Sequence, residues 1–222
     1  MAGADDLKRA AAQRALELVR PGMLLGLGSG STAGYFIEGL RGLDVRGVPT
    51  SEATASLARS VGVQVVEELD RPVDLAVDGA DEIDPSLSLI KGRGGALFRE
   101  KLVAAAARRF VVVADESKLV DRLGVGVLPI EVLPFLWRTT AERLEGLGAE
   151  WQVRGGEGSP YVTDNGNLIL DLTFVRGVSD ASSLALALKG VTGVVEHGLF
   201  VRLASGCIVA GAGGVRILGS ID

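Results

Sequence analysis

MLLGLGSGSTAGYFIEGLRGLDVRGVPT, residues Met23–Thr50, decides the fold. MLLGLG is a short apolar run, the pattern of a strand covered on both faces. A turn of glycines and hydroxyls follows, and STAGYFIEGLRG then carries apolar residues at helical spacing. VRGV reads as a second strand. Strand, crossover helix, strand is the βαβ unit, whose two strands run parallel. The alternation continues outward in both directions. Upstream, DDLKRAAAQRALELVR is helical and is stopped by Pro21-Gly22. Downstream come SEATASLARSVG as a helix, VQVVEE as a strand, and the apolar runs VDLAVD and FVVVAD as buried strands. Such a series implies a parallel sheet with helices on both sides.

Around Leu128 the pattern changes. IEVLP reads as a strand, FLWRTTAERLEGLG as a helix and AEWQVR as a strand. PYVTDNGNLILDLTF reads as a hairpin around Asn165-Gly166, a dipeptide suited to a tight primed turn. DASSLALALKG is helical, and VTGVVEHGLF is a last strand. This β-α-β-β-α-β order fits a ferredoxin-like α+β unit. The tail, VRLASGCIVAGAGGVRILG, has two further apolar runs that are expected to return to the first sheet. The expected fold is therefore α/β. A Rossmann-like parallel-sheet domain spans residues 1–127 and is completed by 203–222. An inserted ferredoxin-like α+β domain spans 128–202, with an expected role in oligomerisation. Trp137 and Trp151 fall in the insert, as packing residues.

Composition excludes several function classes. The chain has 222 residues, 47% of them hydrophobic and 23% charged, which is ordinary for a globular protein. A net charge of −5, from 23 basic and 28 acidic residues, argues against a broad surface for nucleic acid. The longest apolar runs, such as Phe110 to Ala114, are too short to span a bilayer. The N-terminal MAGADDLKRAAAQRALELVR is charged and lacks the apolar run of a signal peptide, so a cytoplasmic location is expected. The single cysteine, Cys207, excludes an internal disulfide framework and a multi-cysteine zinc site, and its place in CIVAGAG suggests a buried thiol. The single histidine, His197, cannot by itself build a Ser-His-Asp triad or a two-histidine metal site. Acid–base chemistry falls to Asp, Glu and Lys, with no metal and no redox cofactor expected.

Four stretches could carry that chemistry. GLGSGSTAG, Gly26 to Gly34, lies between a strand and a helix; its backbone amides, the helix N-terminus, and the hydroxyls of Ser29, Ser31 and Thr32 suit a phosphate. A dinucleotide site and a purely structural turn are the competing readings. The second strand ends in VPTS rather than in the acid that a ribose would need, and the loop has no Walker lysine. DGADEID, Asp78 to Asp84, crowds carboxylates at the end of an apolar strand, where open α/β sheets bind ligands; a solvated acidic turn and a calcium loop are the alternatives. IKGRGGALFREK, Ile90 to Lys101, joins Lys91 and a glycine loop to a helix that holds Glu100 near its start. By composition alone Glu100-Lys101 is an ordinary charged helical pair. VVVADESKLV places Asp115, Ser117 and Lys118 after another buried strand.

In order along the chain, GSGST, DGADEID, KGRGGA with the following REK, ADESK and VTDNGNLILD resemble the motifs of the type A ribose-5-phosphate isomerase family. The resemblance covers nearly the whole chain. It implies an aldose–ketose isomerase that interconverts D-ribose 5-phosphate and D-ribulose 5-phosphate through an enediolate, in the non-oxidative pentose phosphate pathway. It further implies Glu100 as the proton-shuttling base, Asp81 as the ring-opening group with Asp78 as partner or hydroxyl binder, and Lys91 with the Gly92–Gly94 amides as the enediolate-stabilising group. Substrate oxygens, including the phosphate, fall to Ser29, Gly30, Ser31, Thr32, Lys118 and the Asp78-Gly79-Ala80-Asp81 turn, with Lys8 reaching the same pocket. Family members often carry threonine in place of Ser29, and some carry glycine in place of Arg93, whose side chain is expected to point away from the sugar or to join the phosphate site. A homodimer or homotetramer is implied. The rival classes are a sugar-phosphate sensor, an amino-sugar-phosphate deaminase, a coenzyme A transferase and a dehydrogenase.

Overall fold

The computed structural model describes residues 3–222, which divide into two compact units. The first comprises residues 3–80, Arg99–Lys118 and Arg202–Asp222. In chain order it holds α1 (Ala4–Leu16), β1 (Leu24–Leu27), α2 (Ser31–Glu38), β2 (Arg46–Pro49), α3 (Glu52–Ser60), β3 (Gln64–Val65) and β4 (Leu75–Asp78). The second unit contributes β5 (Glu82–Ile83) and β6 (Leu89–Ile90), after which come α4 (Leu97–Ala106) and β7 (Phe110–Asp115). The strands between Leu119 and Val201 belong to the second unit, and β13 (Gly206–Gly211) and β14 (Gly214–Gly219) return to the first.

Its seven strands run in the order β14-β13-β7-β4-β1-β2-β3. Every pairing is parallel except that of β13 with β14. LLGL, LAVD and FVVVAD are buried at every position, as continuous apolar runs require in a parallel sheet. The sheet's side chains pack with Ala11, Ala12 and Ala15 of α1 and Phe36 and Ile37 of α2. Strand order reverses between β1 and β4. In open α/β sheets, ligands bind at the carboxyl ends of strands beside such a switch point. GLGSGST leaves the end of β1, and DGA leaves the end of β4.

The second unit comprises Asp81–Phe98 and Leu119–Val201. Its main sheet is built from β8 (Leu128–Val132), α5 (Trp137–Glu145), β9 (Glu150–Val153), β10 (Leu168–Thr173), α6 (Ala181–Lys189) and β11 (Val194–His197). The β-α-β-β-α-β order gives an antiparallel sheet arranged β11-β8-β10-β9. Trp137 and Trp151 meet edge to face at 5.9 Å against its core, consistent with packing roles. A second sheet, β12-β6-β5, contains β12 (Leu199–Phe200).

Three features differ from the sequence expectation. Segments 81–98 and 119–127 group with the insert rather than with the parallel sheet, because β5 and β6 pair with each other and β6 with β12, while Leu119 bridges to Ile83 and Val120 N–H donates to Ile83 O (2.9 Å). VTGVVEHGLF forms two strands, split at Gly198, that join different sheets. The Asn165-Gly166 hairpin is not a primed turn. Gly166 N–H donates to Thr163 O (2.9 Å) and only Gly166 has positive φ (77°). Asn165 keeps negative φ because its amide donates to the buried Glu131 carboxylate (3.0 Å), which also receives Thr163 Oγ1 and Asn167 Nδ2.

Candidate active site

In the first unit, the loop after β1 lies against the end of β4. Gly28 N–H donates to Val77 O (2.9 Å), and a Cβ on Gly28 would come within 2.2 Å of the Asp78 carboxyl carbon. Only glycine permits that approach. The Asp78 carboxylate, 4% exposed, accepts from the backbone N–H of Ser29 (3.1 Å) and of Gly79 (2.7 Å). It thereby ties the two loops at the switch point together. Ser29 Oγ turns inward to Thr50 (2.8 Å), Ser51 (2.9 Å) and Thr54 (3.0 Å), while Thr54 Oγ1 donates to Gly28 O (3.1 Å). Sequence reasoning missed this hydroxyl cluster, although VPTSEAT carries its signal.

Gly30 and Ser31 are exposed and Thr32 is half-buried at the start of α2. No side chain caps this helix, and its first turn holds no acid. Its leading N–H groups and the positive end of its dipole are thus available to an anion. Lys118 is half-buried at the end of a 3₁₀ turn (Glu116–Lys118), while Ser117 N–H donates to Asp115 (3.0 Å). Lys8, on α1, pairs with Asp5 on its own helix (3.2 Å). Glu100, the fourth residue of α4, is 6% exposed, whereas its neighbour Arg99 reaches out to Glu52 (2.8 Å).

The second unit holds Asp81 and the Lys91 loop. Asp81 N–H donates to Ile90 O and Lys91 N–H to Gly198 O, both at 2.9 Å, which pins the two residues to the ends of the short β5-β6-β12 sheet. Lys91 is 3% exposed, with Nζ 5.6 Å from the centre of the Phe200 ring. Arg93 N–H donates to Asp81 Oδ2 (3.0 Å). The Arg93 guanidinium turns onto the buried Glu82 carboxylate, which also accepts the N–H groups of Gly124 (2.6 Å) and Gly126 (2.7 Å). Arg154, on the hairpin arm after β9, donates to the carbonyls of Gly92 (3.1 Å) and Arg93 (2.9 Å) and forms a two-pronged ion pair with Asp171. Glu82, Arg154 and Asp171 are further residues missed in the sequence. Asp84 is a turn residue, accepting from the N–H groups of Ser86 and Ser88 (both 2.9 Å).

Cys207 lies on β13 with no exposure, and burial pushes its thiol up to about 12. The folded-state value stands above the unfolded one. Its contribution to stability is therefore complete at low pH and lost as pH rises from about 9 toward 12, by about 1.4 kcal/mol per unit. Between pH 8 and pH 11, denaturant titrations should show wild type losing about 2–3 kcal/mol more than Cys207→Ala. Equal losses in the two proteins would contradict the burial effect.

The profile of the family described as ribose 5-phosphate isomerase A (phosphoriboisomerase A) matches residues 46–214. The ribose-5-phosphate isomerase A of Rhodopseudomonas palustris strain HaA2 is 51% identical over 226 residues, covering 96% of this chain and 97% of that one. An Arabidopsis thaliana protein named probable ribose-5-phosphate isomerase 3, chloroplastic, is 47% identical over 96% of this chain and 83% of its own. The solved ribose 5-phosphate isomerase A of Methanocaldococcus jannaschii superposes with a TM-score of 0.92 at 38% identity, covering 98% of this chain and 100% of that one. A D-ribose-5-phosphate isomerase solved in complex with phospho-erythronic acid superposes with a TM-score of 0.93, also at 38% identity, covering 99% and 100%.

Proposed function

This chain belongs to the ribose 5-phosphate isomerase A family, and on that premise we propose that Glu100, Asp81 and Lys91 carry its chemistry. The reaction interconverts D-ribose 5-phosphate and D-ribulose 5-phosphate, a step of the pentose phosphate pathway. The hydrogen on carbon 2 of the aldose must leave as a proton and return to carbon 1. Glu100 is the base that shuttles it between the adjacent carbons. Asp81 moves the proton that opens the sugar ring, with Asp78 as partner or hydroxyl acceptor. Lys91 and the amides of the Gly92–Gly94 loop take the negative charge that develops on the enediolate oxygens. The uncapped start of α2, at Gly30 to Thr32, and Lys118 hold the phosphate. Ser29, Gly79 and Ala80 shape the pocket, Arg93 contributes through its backbone, and Lys8 is an outlying phosphate partner.

Burial is the observation that carries this assignment. Glu100 and Lys91 are 6% and 3% exposed. A helical pair serving solubility would leave its glutamate in water, and charged side chains are mostly exposed, so this depth supports the reading of Glu100 and Lys91 as site residues. Phospho-erythronic acid combines a phosphate with a carboxylate, the charge pattern of an enediolate intermediate, which makes it a suitable probe of the same groups.

Chelated enzyme is expected to form ribulose 5-phosphate from ribose 5-phosphate at the full rate, and in D2O solvent deuterium should enter carbon 1 of the ketose. Complete retention of the substrate's own hydrogen, with activity lost on chelation and restored by a divalent ion, would replace the carboxylate base by a metal-assisted hydride shift.

No helix of the described residues is long and apolar enough to cross a membrane. We place the chain in the cytoplasm, in keeping with a free, buried thiol. A homodimer or homotetramer formed through the second unit is supported by Phe135 and Leu186, which expose most of their apolar surface.

A further inference from the structure

We propose that Arg154 is a positioning residue for the isomerisation, fixing the two peptide groups between Gly92 and Gly94 so that the Arg93 N–H holds the Asp81 carboxylate and the Gly94 N–H faces the reacting oxygens. This rests on the assignment of Lys91 and its loop to the enediolate.

The loop cannot fix itself. Gly92 and Gly95 both have positive φ (98° and 92°), and glycine reaches either sign of φ with little bias. One backbone bond, Gly95 N–H to Gly92 O (2.9 Å), closes the turn. The Arg93 side chain is held on Glu82, and the carbonyls of Gly92 and Arg93 are held by Arg154. Its Nη1 donates to the carbonyls of Gly92 (3.1 Å) and Arg93 (2.9 Å) at once. Its Nε and Nη2 edge is occupied by Asp171 on β10, and the two side chains are only 17% and 18% exposed. Arg154 N–H is itself held by Ile169 O (2.9 Å), so the guanidinium is anchored to the antiparallel sheet. Tyr161, on the same hairpin, leaves no room for a side chain on Gly95.

In a planar trans peptide the N–H points opposite to the C=O. Holding Gly92 O therefore aims the N–H of Arg93, which donates to Asp81 Oδ2 (3.0 Å). Holding Arg93 O aims the N–H of Gly94 the same way. A cation at the carbonyl end also polarises each peptide and strengthens its opposite N–H as a donor. Arg154 thus orients two donors and one carboxylate without touching substrate. The hairpin of the second unit becomes part of the catalytic machinery, beyond any role in association.

Arg154→Lys keeps the charge but loses the fork that spans two carbonyls and a carboxylate. Since displacements near 1 Å can cost about 10²-fold, kcat is expected to fall roughly 10–100-fold, with KM for ribose 5-phosphate changed less than about threefold. Inhibition by phospho-erythronic acid should weaken in parallel with kcat, while competitive inhibition by inorganic phosphate should stay within about twofold. Arg154→Ala should regain part of its turnover with millimolar guanidinium, which a purely structural loss would not show. Wild-type kcat in Arg154→Lys, or equal weakening of both inhibitors, would overturn the proposal. If Lys91→Ala keeps its turnover, the assignment of the loop itself fails. If Lys91→Ala is crippled and Arg154→Lys is not, only the role of Arg154 fails.

Discussion

Glu100→Gln should lower kcat by roughly 10²–10⁴-fold, the usual worth of a positioned general base. The substitution keeps the shape of the side chain and removes its ability to hold a proton. Glu100 is buried on α4, one residue beyond an arginine that turns away to Glu52. The neutral amide is easier to bury than a carboxylate, so the variant should fold with a melting temperature near that of wild type. Its KM should change little, because the phosphate and hydroxyl contacts are untouched, and deuterium entry into the ketose should fall in step with kcat. Near-wild-type turnover, measured by a coupled assay of ribulose 5-phosphate, would remove Glu100 from the mechanism.

Lys91 carries the second large effect. Removing one preorganised group that stabilises a developing oxyanion costs about 10²–10³-fold in kcat. Lys91→Met, which keeps the apolar stem and discards the charge, is expected to show that loss. The charge matters chiefly in the transition state, so kcat and kcat/KM should fall together. Lys91→Arg should not restore activity, since the planar guanidinium cannot occupy the point position of an ammonium at the Phe200 ring. A Lys91→Met enzyme within about threefold of wild type would remove Lys91 and its loop from the stabilisation of the enediolate.

The parallel sheet was legible because its signal is local. VDLAV and FVVVAD need no partner to be recognised as strands buried on both faces, and the glycines after MLL mark the turn into α2. The β-α-β-β-α-β order was legible on the same grounds. The fate of Gly198 was not: a run of apolar residues does not reveal that its two halves belong to different sheets. Nor was the support of the Lys91 loop. Arg154 stands about sixty residues from the carbonyls it holds, and in AEWQVRGG an arginine reads as a solvated strand end. Glu82 was hidden differently, as one carboxylate among four in DGADEID, where sequence cannot separate a ligand-facing acid from one that binds backbone amides. Motifs report residues that chemistry dictates; supports chosen by the fold leave only ordinary polar letters.

The path of the chain through the parallel sheet has a consequence during synthesis. β7 is complete at Asp115, but its outer neighbour β13 begins only at Gly206. The intervening stretch, roughly ninety residues, takes about 5–20 s to translate at 5–20 residues per second. For that interval the nascent polypeptide carries a strand apolar from Phe110 to Ala114 with one unsatisfied edge, the kind of surface that templates aggregation. A strand made roughly ninety residues later is thus the one that closes the hazard, and a truncated product ending before Gly206 would keep it open.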